Sequence, residues 1–190
     1  MVIKAVIFDC FGVLIVSGTN KLYSDYPEKL AEFNDLGSRV DYGMLSRQEF
    51  DQGVAEIIGL PVSEVTEKYW VKSYRNEIVI DWVKDLKKQG KYKIALLSNI
   101  GSNWIDDFIS KNEINEMFDE TVLSGEVMMR KPDPKIFEYA ADKLALNPSE
   151  CVFIDDIMKN VESSQLVGMT GVLFGTFDQA KSDVEQILGE

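Results

Sequence analysis

The 190-residue sequence contains no histidine. That absence removes Ser-His-Asp and Cys-His catalysis at once. It also removes the usual nitrogen ligand of a metal site. Any chemistry here must rest on carboxylates, Lys, Arg, hydroxyls or a bound metal. Cysteine is scarce: Cys10 and Cys151 are the two in the chain. Two thiols alone cannot complete a zinc site, and each flanks or lies in a predicted strand, where a free thiol packs as a small apolar group. Long apolar runs are missing too, since none reaches the roughly 18 residues of a membrane-spanning helix. The start, Met-Val-Ile-Lys, has no secretory layout, so the expected compartment is the reducing cytoplasm. Cations are in the minority, 20 Lys and Arg against 32 Asp and Glu, for a formal net charge of -12. An acidic surface repels a phosphate backbone and an anionic bilayer, which argues against nucleic-acid and membrane partners. A small anionic substrate would need local cations to offset that field.

What is present is ordinary for a folded domain: 45% hydrophobic and 27% charged residues. The length allows one sizeable core and a small inserted subdomain. Ile3 to Phe8, apolar apart from Lys4, reads as a strand buried on both faces. It ends at Asp9, with Gly12 three positions on. Residues 16–76 read as helical, with no convincing buried strand. Leu22 to Leu36 predicts a helix, with Pro27 near its start or breaking it. Its apolar stripe leaves a monomer and a homodimer both open. Ser46 with Glu49 has the form of a capping box, opening a helix that runs to about Ile58 and stops at Gly59. Ser63 begins another. From about Glu77 the pattern alternates: a helix over Ile78 to Gln89, a strand over Lys93 to Leu97, a helical stretch over Trp104 to Ser110, and a strand over Glu120 to Ser124. A helix over Pro134 to Ala145, a strand over Val152 to Ile154, a helix over Lys159 to Val167, a strand over Thr170 to Phe174 and a helix over Phe177 to Leu188 complete it. Such alternation predicts right-handed crossovers and a parallel sheet flanked by helices. The expected fold is α/β and Rossmann-like, with 1–15 and 77–190 as core and 16–76 as a small helical cap after the first strand.

Parallel strands point one way, so their carboxyl ends share an edge, where open α/β sheets place ligands. Asp9, Ser98-Asn99 and Asp155-Asp156 all fall at such ends. Arg130-Lys131-Pro132-Asp133-Pro134 adds cations just before a helix. Clustered carboxylates repel each other unless a cation sits among them. Without histidine, a hard oxygen-ligated ion such as Mg2+ is the natural choice. A carboxylate can attack phosphorus, while a hydroxyl, a backbone N–H and a Lys can hold phosphate oxygens.

These residues, in this order, resemble the motifs of the haloacid dehalogenase superfamily. Asp9-Cys10-Phe11-Gly12-Val13 is similar to its first motif, and Leu96-Leu97-Ser98-Asn99 to its second. Lys131 is similar to its third, and Asp155-Asp156 with Asn160 to its acidic fourth. The stretch from Ser124 to Pro134 is most similar to the phosphatase branch with a small helical cap, which includes sugar-phosphate phosphatases and the phosphatase half of soluble epoxide hydrolases. The resemblance implies a Mg2+-dependent phosphatase for a small phosphorylated metabolite. Asp9 would be nucleophile and metal ligand, the Phe11 carbonyl a second ligand, and Asp156 a direct ligand, with Asp155 direct or through water. Ser98 and the Asn99 amide would bind phosphate, and Lys131 would bind phosphate and hold the carboxylates. One departure stands out. The family's phosphatases usually carry a second Asp where this chain has Phe11, and that acid protonates the leaving oxygen. Losing a general acid–base costs ~10²–10⁴-fold in rate. Two alternatives follow: a 2-haloacid dehalogenase-like hydrolase, or a non-catalytic metal- and phosphate-binding homologue. Tyr23, Tyr42, Arg47, Trp70 and Arg75 are candidates to line the cap's pocket, although aromatics at helical spacing more often pack in a core.

Overall fold

The apolar runs that end in acids become the middle of one parallel sheet. A computed structural model describes residues 2–101 and 104–189. In chain order the strands are β1 (Ala5–Phe8), β2 (Ile15–Val16), β3 (Tyr74–Arg75), β4 (Lys93–Ser98), β5 (Glu120–Leu123), β6 (Cys151–Asp155) and β7 (Thr170–Leu173). The sheet runs β5-β4-β1-β6-β7, all parallel. Its order reverses at β1, and the crevice beyond the strand ends at such a reversal is where this architecture binds ligands.

Register fixes which side chains meet there. Phe8 lies opposite Leu96 on one side and Ile154 on the other. Asp9, one residue on, is therefore level with Leu97 and Asp155, and its N–H donates to the Ile154 carbonyl at 2.9 Å. Every residue of β1 is buried, as a central parallel strand requires.

Helices cover both faces. In chain order they are α1 (Thr19–Asp25), α2 (Leu30–Asp41), α3 (Arg47–Ile58), α4 (Val62–Lys68), α5 (Glu77–Gln89), α6 (Lys111–Met117), α7 (Ser124–Val127), α8 (Pro134–Lys143), α9 (Met158–Leu166) and α10 (Phe177–Leu188). The stripe Val79, Ile80, Trp82, Val83 and Leu86 of α5 packs on one face, where Phe8 meets the Trp82 ring edge-on at 5.2 Å. Ile136, Phe137, Ala140 and Ala141 of α8 pack on the other, with Phe137 edge-on to Phe153 at 5.1 Å. Each such large apolar side chain, fully buried, contributes about 1.5–3 kcal/mol. Cys10 and Cys151 are buried free thiols, and burial pushes both thiols up, Cys151 to about 11.

Residues between β2 and β3 form a third packed cluster, in which Leu22, Phe33, Val54, Val65 and Tyr69 are buried. The helix expected over Leu22 to Leu36 is split: α1 stops at Asp25, Pro27 opens a short 3-10 turn, and α2 restarts at Leu30. Proline's fixed φ and missing N–H account for the break. The Ser46–Glu49 capping box forms as read, and Gly59 ends α3 at φ 70°. Other elements also differ from the sequence reading. β2 and β3 form a two-residue antiparallel ladder at the base of the insertion, too short to show a period of two. Trp104–Asp107 is a 3-10 turn rather than the start of a longer helix. A regular helix, α6, follows it and was not expected, because Ile114 and Met117 are the buried residues in its seven positions.

Candidate active site

The acids at the strand ends converge on one lysine. Lys131, 2% exposed, donates from Nζ to Asp9 Oδ1 at 2.6 Å, to Asp155 Oδ2 at 2.6 Å and to the Leu97 carbonyl at 3.0 Å. Its backbone is held by an exchange with Asn99. The Lys131 N–H donates to Asn99 Oδ1 at 2.8 Å, and Asn99 Nδ2 donates to the Lys131 carbonyl at 2.9 Å. The peptide between Lys131 and Pro132 is cis. Pro132 and Pro134 restrict the backbone of the segment that carries this cation into the core, and Asp133 and Pro134 begin α8.

Asp155 is a fully committed acceptor. Besides Lys131, it accepts from the Ile157 N–H at 2.8 Å and from Asn160 Nδ2 at 3.1 Å on each oxygen. Asp9 differs. Burial raises its carboxyl to about 7 against the pull of Lys131, and Asp155 adds to the rise. Burial also lowers the Lys131 ammonium, but Asp9 and Asp155 more than offset that and hold it above its ordinary value. One buried ammonium bonded to both acids offsets part of the cost of burying them.

Asp156 completes a triad of acids. Carboxylate oxygens of Asp9, Asp155 and Asp156 lie within 4.8 Å of one another. Burial, then Asp155, pushes the Asp156 carboxyl up. Its Oδ1 is buried with no hydrogen-bond partner. Such an orphan costs about 1–3 kcal/mol unless a ligand satisfies it. Gly12, at φ +94°, makes the room: a Cβ there would lie 2.1 Å from Asp156 Oδ2. Three carboxylates around one point, one oxygen unsatisfied and no nitrogen or sulfur donor among them fit a hard cation of the Mg2+ kind. Ser98 Oγ is likewise buried without a partner.

Above these acids a cavity of about 330 Å³ opens toward the inserted helices. Gly12, Asn99 and Asp156 line its core side, and Tyr23, Asp41, Arg47 and Trp70 its far side. Phe11 also lines it and meets Phe108 edge-on at 5.6 Å. A wider groove of about 710 Å³ between Leu36, Arg39 and Gln52 is lined by residues of the inserted helices and reaches none of the strand-end acids.

The model of one family, haloacid dehalogenase-like hydrolase, matches residues 3–168. The chain belongs to this family. It is similar to the D-ribitol-5-phosphate phosphatase of Bacteroides thetaiotaomicron, 26% identical, with 87% of this chain and 89% of that protein aligned. It is also similar to a sesquiterpene phosphatase of Aspergillus oryzae, 28% identical over 89% and 88%. The bifunctional epoxide hydrolase 2 of Sus scrofa matches the whole chain at 26% identity, and the chain spans 39% of that protein's length. A haloacid dehalogenase family enzyme of Bacteroides thetaiotaomicron, solved with magnesium and inorganic phosphate, superposes with a TM-score of 0.70 at 24% identity over 90% of this chain and 93% of that one. That likeness shows a shared fold.

In this member of the haloacid dehalogenase-like hydrolase family, Asp9, Ser98, Asn99, Asp155 and Asp156 come to one edge from strand ends, and Lys131 joins them from the segment before α8. Asp155 and Asp156 do not cap α9 by side chain, since that helix starts after Ile157 without a side-chain cap. Of the far-side candidates, Tyr23, Arg47 and Trp70 line the cavity. Tyr42 and Arg75 are not among its lining residues. Tyr42 lies against the Arg130 guanidinium at 5.9 Å. Arg75 donates to both Glu113 oxygens at 2.8 Å and ties β3 to α6. Asp41, joined to Arg130 at 3.3 Å, is a cavity residue that the sequence did not single out. Arg130 adjoins a motif and was recognisable as a local cation. Asp41 carries no motif.

Proposed function

We propose that this hydrolase is a Mg2+-dependent phosphatase of a small phosphate monoester, a sugar phosphate or similar metabolite, acting through an aspartyl-phosphate on Asp9. The observation that carries the reading is the triad of acids around a buried lysine, with an unsatisfied oxygen on Asp156, a residue that lines a small cavity. The named functions of two relatives aligned over most of their length, D-ribitol-5-phosphate phosphatase and sesquiterpene phosphatase, support it.

In this reading Asp9, Asp156 and the Phe11 carbonyl would hold the ion, with Asp155, whose oxygens already accept from Lys131, Ile157 and Asn160, reaching it directly or through water. Bound there, Mg2+ supplies positive charge that offsets the repulsion between phosphate and carboxylates. Asp9 attacks phosphorus from its fixed place at the end of β1, and its oxygen–phosphorus bond forms as the ester bond breaks. Lys131 keeps Asp9 oriented and meets charge on the phosphoryl oxygens. Ser98 Oγ, buried and free, and the Asn99 main-chain N–H hold those oxygens; the Asn99 side chain is already spent on Lys131. Residues 16–76 act as a cap that keeps water from the reacting bond. Water then attacks phosphorus and releases Asp9. The dehalogenase reading uses the same nucleophile but leaves the unsatisfied Asp156 oxygen without a task.

Hydrolysis of 4-nitrophenyl phosphate, followed with Mg2+ and with chelator, tests the proposal. Turnover with Mg2+ that chelator removes and returned Mg2+ restores is the expected result. Turnover of a 2-haloacid with none of the ester would overturn it.

A further inference from the structure

Position 11 leaves one step without an actor. When the ester bond breaks, the substrate oxygen keeps the electron pair and needs a proton, and the Phe11 ring has none to give. Among the described residues lining the cavity, the carboxyl groups are Asp156 and Asp41. Asp156 is part of the acid triad. Asp41 stands apart, in the last turn of α2, facing the same space as Gly12 and Asn99.

Its surroundings suit a carboxyl that holds and returns a proton. A helix carboxyl end disfavours an anion. Burial lifts the Asp41 carboxyl to about 6, although Arg130 and, less strongly, Lys131 pull it down. The groups that face it are Arg130, with Nη2 3.3 Å from Oδ2, Lys131, and Tyr23 of α1, whose hydroxyl is itself pushed up by burial and by Asp41. Arg130 Nε is buried without a partner, so the guanidinium keeps a donor that Asp41 does not use. An acid beside an unspent donor in a substrate-sized cavity departs from ordinary surface design, and such departures mark functional positions.

We propose that Asp41 is the general acid and base of this hydrolase, the acid missing at position 11 being supplied from the inserted helices. The inference rests on the phosphatase reading. As the oxygen of Asp9 bonds to phosphorus and the ester bond breaks, the leaving oxygen takes the Asp41 proton. Water then bonds to phosphorus, its proton passes to the Asp41 carboxylate, and the Asp9 carboxylate leaves. Both carboxyls end as they began.

The test is a series of substituted phenyl phosphates, from 4-nitrophenyl, whose phenolate leaves unaided, to phenyl, whose oxygen needs a proton. With Asp41→Asn the expected loss is below about tenfold for the nitrophenyl ester and about 100-fold or more for phenyl phosphate. Asp41→Glu recovers part of it. The wild-type rate falls as pH rises through about 6, and that limb is absent in Asp41→Asn. Arg130→Gln removes a cation that holds the carboxyl down, so the limb moves to higher pH; it is the readout if Asp41→Asn does not fold. Equal losses across the ester series, or a limb that Arg130→Gln leaves in place, would overturn the proposal alone. Absence of turnover of every ester by the wild type would overturn the phosphatase reading and this proposal with it.

Discussion

Replacing Lys131 by Met exposes what holds the site together. The side chain is buried, and its ammonium makes bonds of 2.6, 2.6 and 3.0 Å to Asp9, Asp155 and the Leu97 carbonyl. Methionine fills much the same volume, so packing is nearly conserved and the change is electrostatic. Removing one partner of a buried ion pair costs about 3–5 kcal/mol, because the acid left behind has neither water nor counter-charge. Without the lysine, the pull that holds the Asp9 carboxyl down is gone, so the folded variant keeps the Asp9 proton to higher pH than wild type does. The folded variant then binds more protons than its unfolded chain, and its stability rises as pH falls. The gap to wild type narrows by up to about 1.4 kcal/mol per pH unit for that one proton. Urea unfolding in chelator, followed by tryptophan fluorescence at pH 7.5 and 5.5, reads both quantities. A loss under about 1 kcal/mol at pH 7.5, or the same loss at both pH values, would refute the electrostatic account.

Two further outcomes follow from the same geometry. Gly12→Ala puts a methyl group where the Asp156 carboxylate lies and strains a residue at positive φ, so a destabilisation above about 1 kcal/mol by urea titration is expected. Mg2+ affinity by calorimetry should fall with it, and unchanged affinity would remove Asp156 from the ligand set. Glu113→Gln breaks the paired bonds to Arg75 and the contact with Lys84 at 2.7 Å. Arg75 holds the Glu113 carboxyl down at about 2, so its contribution is present above pH ~4.5 and lost as pH falls toward 2. The two side chains are 28% and 20% exposed, so about 1 kcal/mol is expected at pH 7 and almost none near pH 2, measured by thermal unfolding.

The core of this fold was readable because its three central strands, β1, β4 and β6, are short apolar runs that end at Asp9, Ser98-Asn99 and Asp155-Asp156. In a parallel sheet those ends must share an edge, so Asp9, Ser98 and Asp155 could be brought together without coordinates. Lys131 was readable for a different reason: the prolines around it imply a shaped segment just before α8. What escaped had no period or no motif. The β2–β3 ladder is two residues long. Helix α6 has too few apolar positions to show its face. Asp41 looks like any acid near the end of an amphipathic helix, and only the approach of α2 to Arg130 places it in the cavity. Arg75, read as a pocket candidate by its charge, is taken instead by Glu113, 38 residues away in sequence.

The claim that Asp9 takes the phosphoryl group can be measured directly. The enzyme is mixed with Mg2+ and phenyl phosphate, quenched in acid within a turnover, treated with borohydride and digested. Borohydride reduces the acyl carbon of an aspartyl phosphate at Asp9 to the homoserine alcohol with loss of phosphate, and the peptide spanning Val6 to Leu14 should carry that change in wild type and lack it in Asp9→Asn. Steady turnover with an unmodified peptide, or turnover that survives Asp9→Asn, would contradict the account at its centre.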